Sequence, residues 1–161
     1  MKVKPNPLQK LLHHFFMLSP VTAFFAPWVH RLDQAILKLT KGNFTATELL
    51  GWNIIQLTTL GAKTGQYRIM PLVALFDSEK IALVASSFGR KHYPGWYYNL
   101  KKNPECDVRW HGRSGKYVAR EVEGNDYKKY WQLALTYYAG YEKYKERAGR
   151  RIPVMVLEPH R

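Results

Sequence analysis

The chain has 161 residues, the size of one domain, and its 46% hydrophobic and 14% aromatic content is that of a globular protein, which excludes a disordered or collagen-like chain. A single cysteine, Cys106, excludes an internal disulfide framework and a cysteine-based zinc site. Charge is the outlier: 25 Lys and Arg against 12 Asp and Glu leave +13, a self-repelling surplus that suits an anionic neighbour, whether nucleic acid, an anionic membrane surface or a polyanionic small molecule.

From the N-terminus, residues 11–30 carry no formally charged side chain. That length matches a membrane span, but Pro20, Pro27, Ser19, Thr22 and three histidines break both the helix and the hydropathy. No small-x-small cleavage site follows, which argues against a signal peptide. The sequence divides into a helical segment over 1–50, bent at Pro20, and a barrel domain over 51–161. The apolar surface of the first segment rests either on the domain or, peripherally, on lipid. Lys2, Lys4, Lys10, Arg31, Lys38 and Lys41 around it suit an anionic leaflet, which would put a cytoplasmic protein on the inner face of the cell membrane. Pro27 suits a helical first turn; Val29, Leu32, Ile36 and Leu39 share one face and Gly42 ends it.

After Asn53 the pattern changes to runs of β-formers separated by turn chemistry. Strands are predicted over 53–60, 67–76, 81–86, 105–111, 116–123 and 152–157, with turns at 61–66, 77–80 and 112–115. Cys106, Val108 and Trp110 alternate with Asp107, Arg109 and His111, so that strand has one wet face. Residues 69–76 are apolar on both faces, which predicts a place in the middle of a closed or doubly covered sheet. Helices are predicted from Pro94 and over about 126–138 and 141–148. Short hairpin connections imply mainly antiparallel pairing, and about six strands suggest an α+β class, a small barrel with flanking helices outside.

Three segments could carry chemistry. In Thr58–Arg68 two cations, a hydroxyl and exposed backbone amides converge on a turn, which suits a phosphate or carboxylate; as a bare pattern it is a hairpin turn, and it lacks the P-loop spacing. In Val84–Leu100 a strand ends in small residues, crosses a basic loop and enters a helix, where loop amides attract anions and Trp96 offers a flat surface. Taken singly, Trp96, Tyr97 and Leu100 also read as the apolar face that docks this helix. In Tyr137–Tyr144, Tyr138, Tyr141 and Tyr144 recur every three residues around Gly140, either lining a wall for a large, mostly apolar substrate or closing the core. No metal site and no hydrolase, metalloprotease or Rossmann motif is present.

Leu57–Arg68, Val84–Ser86 and Pro94–Pro104, with Tyr130-Trp131, the tyrosine triplet and Arg151–Pro159 in the same order, resemble the deazaflavin (F420)-dependent nitroreductase family. The resemblance covers about residues 53–159. It implies a split β-barrel of the flavin-binding type and coenzyme F420, a polyanion with a phosphodiester, a polyglutamate tail and a flat hydride-bearing head. Lys63 and Arg68 would hold its phosphate side, with turn contacts from Thr64, Gly65 and Gln66. Pro71 and Leu72 would touch the ring, Ala85, Ser86 and Ser87 would bracket its edge, and Gly95, Trp96 and Asn99 would meet it from the short helix. Tyr138, Tyr141 and Tyr144 fall at substrate-pocket positions, and Ser86 with Tyr138 or Tyr141 would donate hydrogen bonds to charge appearing on the acceptor. The expected activity is reduction of quinones by F420H2, with nitroaromatics as incidental acceptors and no nucleic-acid partner. The rivals are an FMN-dependent oxidoreductase on the same barrel, and a non-catalytic module binding lipid or nucleic acid.

Overall fold

A computed structural model describes residues 52–160. The helical segment expected over 1–50, with its bend at Pro20, its second helix and its membrane contact, lies outside these described residues. Seven strands form one antiparallel sheet: β1 (Ile54–Leu60), β2 (Tyr67–Val73), β3 (Leu75–Asp77), β4 (Lys80–Val84), β5 (Glu105–Trp110), β6 (Arg113–Glu121) and β7 (Val154–Pro159). Helix α1 (Gly95–Lys102) lies between β4 and β5, and α2 (Gly124–Tyr137) and α3 (Gly140–Ala148) between β6 and β7. The strand order is β2-β1-β5-β6-β7-β4-β3.

The first and last strands of that order are consecutive in the chain, separated by Ala74, whose N–H bonds the Asn53 carbonyl at 2.8 Å. β2 and β3 are thus two halves of one bent strand: the first pairs with β1, the second with β4, and the sheet curls until its ends meet. The expected split β-barrel of about six strands is therefore present. Where 69–76 was expected in the middle of a covered sheet, however, β2, which carries its first half, is an open edge strand, with Ile69 64% exposed. Pro71 accounts for this, because a residue without an N–H is tolerated in a sheet chiefly at an edge. The turn expected at 112–115 also moves. His111 and Gly112 both take positive φ, 47° and 73°, which suits a primed two-residue hairpin turn, so β6 starts at Arg113.

Two apolar cores follow from strand alternation. Ile55, Leu57, Ile81, Leu83, Val108, Met155 and Leu157 point into the barrel, where Trp96, Tyr97 and Leu100 of α1 join them. Leu75, Ala82, Val154 and Val156 point outward against Tyr130, Trp131, Ala134, Tyr138, Tyr141 and Tyr144 of α2, α3 and the corner between them. β4 and β7 are covered on both faces, which explains the unbroken apolar run at 154–157. On β5 the predicted alternation holds, with Cys106 and Val108 buried and Asp107 and Arg109 exposed. Burial pushes the Cys106 thiol up to about 12, so it behaves as a core side chain and not as a nucleophile.

Helix α2 is tied to the barrel at Asp77, whose Oδ2 accepts from Lys129 Nζ at 2.6 Å and from the Tyr130 hydroxyl at 3.1 Å. The Lys129 hydrogen bond holds the Asp77 carboxyl below its usual range against the opposing effect of burial. Glu158 is lowered in the same way by Lys80 and Arg120. A depressed carboxylate contributes stability above its unfolded pKa and loses it as pH falls through the folded value. The melting temperature should therefore hold between neutral pH and about 5 and fall below about 4. Asp77→Asn should melt about 1–3 °C lower at neutral pH, a gap that narrows as the pH falls through the carboxylate's lowered range in a thermal-denaturation series.

Candidate active site

The β1–β2 turn is locked from within and from outside. Gly61 N–H bonds the Gln66 carbonyl and Gly65 N–H the Gly61 carbonyl, both at 2.9 Å. Gln66 N–H reaches Thr64 Oγ1 at 3.4 Å. From α1, Asn99 Oδ1 accepts the Ala62 N–H at 2.9 Å while its Nδ2 donates to Thr59 Oγ1 at 3.0 Å, and Lys102 Nζ donates to the Ala62 carbonyl at 2.7 Å. Asn99 thus uses both ends of its amide to fix the turn. Lys63, Thr64, Gly65, Gln66 and Arg68 are all exposed on it. Arg68 bonds Gln66 Oε1 at 3.4 Å. Among the described residues Lys63 makes no ion pair, and neither do Arg90 and Lys91.

The end of β4 is where the two cores meet. Ala85 is fully buried and packs with Trp96 and the partly buried Leu72 in the barrel core, whereas Val84 packs against the tyrosine side. Trp96 is 4% exposed, so its ring supports this region from behind and presents no open face; Gly95, by contrast, is exposed at the start of α1. Ser86 and Ser87 are half-buried, and the Ser86 hydroxyl makes no hydrogen bond among the described residues, leaving its proton available. Pro71 is half-buried on the open strand, on the face opposite Leu72.

Two residues after Ala85 the backbone turns left-handed: Ser87, Phe88 and Gly89 have φ of 49°, 56° and 78°. Each non-glycine residue held there costs about 1–3 kcal/mol and persists only where its surroundings impose it. Here α3 imposes it. Arg147 Nη1 donates to the Phe88 carbonyl at 3.4 Å, and a Cβ on Gly89 would sit 3.2 Å from Tyr144 Cα and Arg147 Cβ, so only glycine allows the turn so close to the helix. Arg150 then gathers the following segment. Its Nε donates to the Lys91 carbonyl at 2.9 Å and its Nη2 to those of Arg90 and His92 at 3.1 Å, while the guanidinium lies 4.1 Å from the Tyr93 ring centre.

Tyr138, Tyr141 and Tyr144 form a triangle of rings with centres 5.6–6.1 Å apart. They are only 6–7% exposed, so they close the outer core, beside the turn that follows Ser86. Burial raises the pKa of all three hydroxyls, and contact with the Tyr138 hydroxyl raises that of Tyr144 further. They remain neutral hydrogen-bond donors across physiological pH. Phe88, Arg147 and Arg150 were missed from the sequence. Arg150 bonds carbonyls 58–60 residues away, and no local pattern announces that.

A split β-barrel in which, among the described residues, cations on one turn lack acidic partners and neutral donors stand beside a strand end suits a phosphorylated ligand. Comparison narrows it. The profile of the F420H(2)-dependent quinone reductases matches residues 28–159. An F420H(2)-dependent quinone reductase of Mycobacterium tuberculosis is 35% identical over 130 residues, covering 79% of this chain and 87% of that one. A solved F420-H2-dependent reductase is similar with a TM-score of 0.61 and 37% identity, covering 66% of this chain and 94% of its own. Another solved structure, described as a domain-swapped dimer, reaches 0.64 at 34%, covering 83% and 98%. The chain belongs to the F420H(2)-dependent quinone reductase family. It is an oxidoreductase whose cofactor is reduced F420, which decides against both the FMN enzyme and the non-catalytic module. The donor set fits that coenzyme: Lys63, Arg90 and Lys91 are cations without an acidic partner among the described residues, as a phosphodiester and acidic tail require.

The Tyr138 ring lies over Gly140, and a methyl group there would overlap it. Gly140→Ala should displace Tyr138 and destabilise the protein by about 1–3 kcal/mol, measured by denaturant titration and by a changed tyrosine signal in near-ultraviolet circular dichroism.

Proposed function

We propose that the protein binds reduced F420 along the β1–β2 turn and the end of β4, and that the acceptor is a quinone, with nitroaromatics reduced incidentally. The observation that carries this reading is the β1–β2 turn itself, where free positive charge stands on a backbone made rigid by Asn99 and Lys102. When bound, the deazaflavin supplies two electrons and a proton together as hydride, so the protein's own part is placement and charge.

Lys63 and Arg68 hold the acidic end, with Thr64, Gly65 and Gln66 offering turn contacts. Pro71, Leu72, Ala85, Ser86, Ser87 and Gly95 mark the ring's surroundings, while Trp96 and Asn99 act by fixing the elements that carry them. The Ser86 hydroxyl and that of Tyr138 or Tyr141 donate to the acceptor oxygen as negative charge gathers there, with Tyr144 completing the wall. Donors already oriented and neutral lower that barrier without reorganising. The hydride reduces the quinone ring, and a proton taken up from solvent completes the hydroquinone.

A quinone dissolved in the bilayer would suit the uncharged run at 11–30 and a position peripheral to the inner face of the cell membrane. Among the described residues no helix is long and apolar enough to cross a membrane.

Lys63→Ala should weaken F420 binding about tenfold at low salt, with the loss shrinking as ionic strength rises; fluorescence titration at two salt concentrations measures it, and unchanged affinity removes the anchor. Tyr138→Phe should lower kcat about tenfold or more while leaving F420 affinity within about twofold, which stopped-flow oxidation of F420H2 by a quinone would resolve. Equal turnover would make Tyr138 a packing residue.

A further inference from the structure

Phe88 is the part of this region that stability does not explain. It is a large apolar side chain left 51% exposed, on a backbone with φ of 56°, immediately after a serine with φ of 49°. A bulky residue in the left-handed region is unfavourable, and an exposed ring recovers little of that by burial. The turn nevertheless holds the ring in a fixed direction from both sides. Before it, the Ser86 carbonyl accepts the Gly89 N–H at 3.0 Å. At it, Arg147 bonds the Phe88 carbonyl; after it, Gly89 packs against α3 and Arg150 clamps residues 90–92. The Phe88 ring stands edge-on to Tyr144, 6.2 Å between centres, so it extends to the surface the buried aromatic cluster that includes Tyr138, Tyr141 and Tyr144.

We propose that Phe88 selects the acceptor: it is the accessible ring on which a flat, bicyclic aromatic quinone stacks, next to the neutral tyrosine hydroxyls. This rests on the reading that the acceptor meets the tyrosine side of the end of β4. The chemistry of the side chain sets the class of ligand. Phenylalanine offers a face but no hydrogen bond, so it discriminates by area and apolarity, favouring a fused two-ring quinone over a single ring of similar redox chemistry. An outlying backbone conformation that carries an exposed ring is the kind of strain that points to a functional position.

Phe88→Gly gives the decisive variant, because glycine occupies the left-handed region without penalty while removing the ring. Binding of dimethylnaphthoquinone and of tetramethylbenzoquinone would be measured on the full chain without coenzyme, by quenching of tryptophan fluorescence, alongside a separate F420 titration and a thermal melt. The expected result is about a fivefold loss of affinity for the naphthoquinone, less than about a twofold loss for the benzoquinone, and a melting temperature equal to or above that of the parent. Phe88→Tyr, which keeps the face, should retain naphthoquinone binding. Unchanged naphthoquinone affinity in Phe88→Gly, equal losses for the two quinones, or a lowered melting temperature would overturn the proposal, as would a parent protein that binds neither quinone. Failure of the parent to bind F420 while the quinone results hold would instead overturn the coenzyme placement and leave the role of Phe88 standing.

Discussion

Strands β4 and β7 have to serve two cores at once, and the arrangement around the active site follows from that demand. Ile81, Leu83, Met155 and Leu157 fill the barrel while Ala82, Val154 and Val156 meet the helices outside it. Apolar cover on both faces leaves these strands no freedom of register, because a slip of one residue would exchange every side chain between two differently shaped cores. The end of β4 therefore emerges at a fixed point between the barrel plug, α1, and the tyrosine corner at α3. A segment leaving such a point can be approached from one side by groups that hold a coenzyme and from the other by groups that receive an acceptor.

Charge is distributed to match. Several acidic side chains are engaged on the walls: Asp77 with Lys129, Glu121 with Lys101, Glu158 with Lys80 and Arg120, Asp126 with Arg120. Arg147 and Arg150 are turned onto backbone carbonyls. The cations that remain without an acidic partner among the described residues include Lys63 on one turn and Arg90 and Lys91 on another. Exposed pairs of this kind add little to stability individually. The unbalanced positive charge on the loops can draw in an anionic coenzyme.

Much of the barrel was legible because it rests on local chemistry. The alternation at Cys106–His111, the glycine-bounded turn at 61–66 and the entry of α1 after Pro94 each depend on neighbours in sequence. What escaped depends on partners far away. The apolar run at 69–76 looked doubly covered, yet the missing N–H of Pro71 and the bend at Ala74 put half of it on an open edge. Trp96 offered a plausible stacking surface until the barrel interior claimed it. The tyrosine spacing was visible, but that the three rings face one another and not open solvent follows from the packing of α2 and α3 on β7. Nothing near Ser87-Phe88 in the sequence announces a left-handed turn, because the forces that impose it come from Arg147 and Gly89's approach to a helix more than fifty residues on.

Arg150 ties the order of assembly to the order of the chain. The carbonyls it gathers belong to residues 90–92, while the guanidinium arrives only with the segment that leads into the last strand. Contacts between such distant positions form late, since closing a long loop is entropically costly until other structure has shortened it. A ribosome-bound chain lacking its final residues can thus pair its early hairpins before residues 90–92 are gathered, so the shape of that loop is among the last features the growing polypeptide acquires.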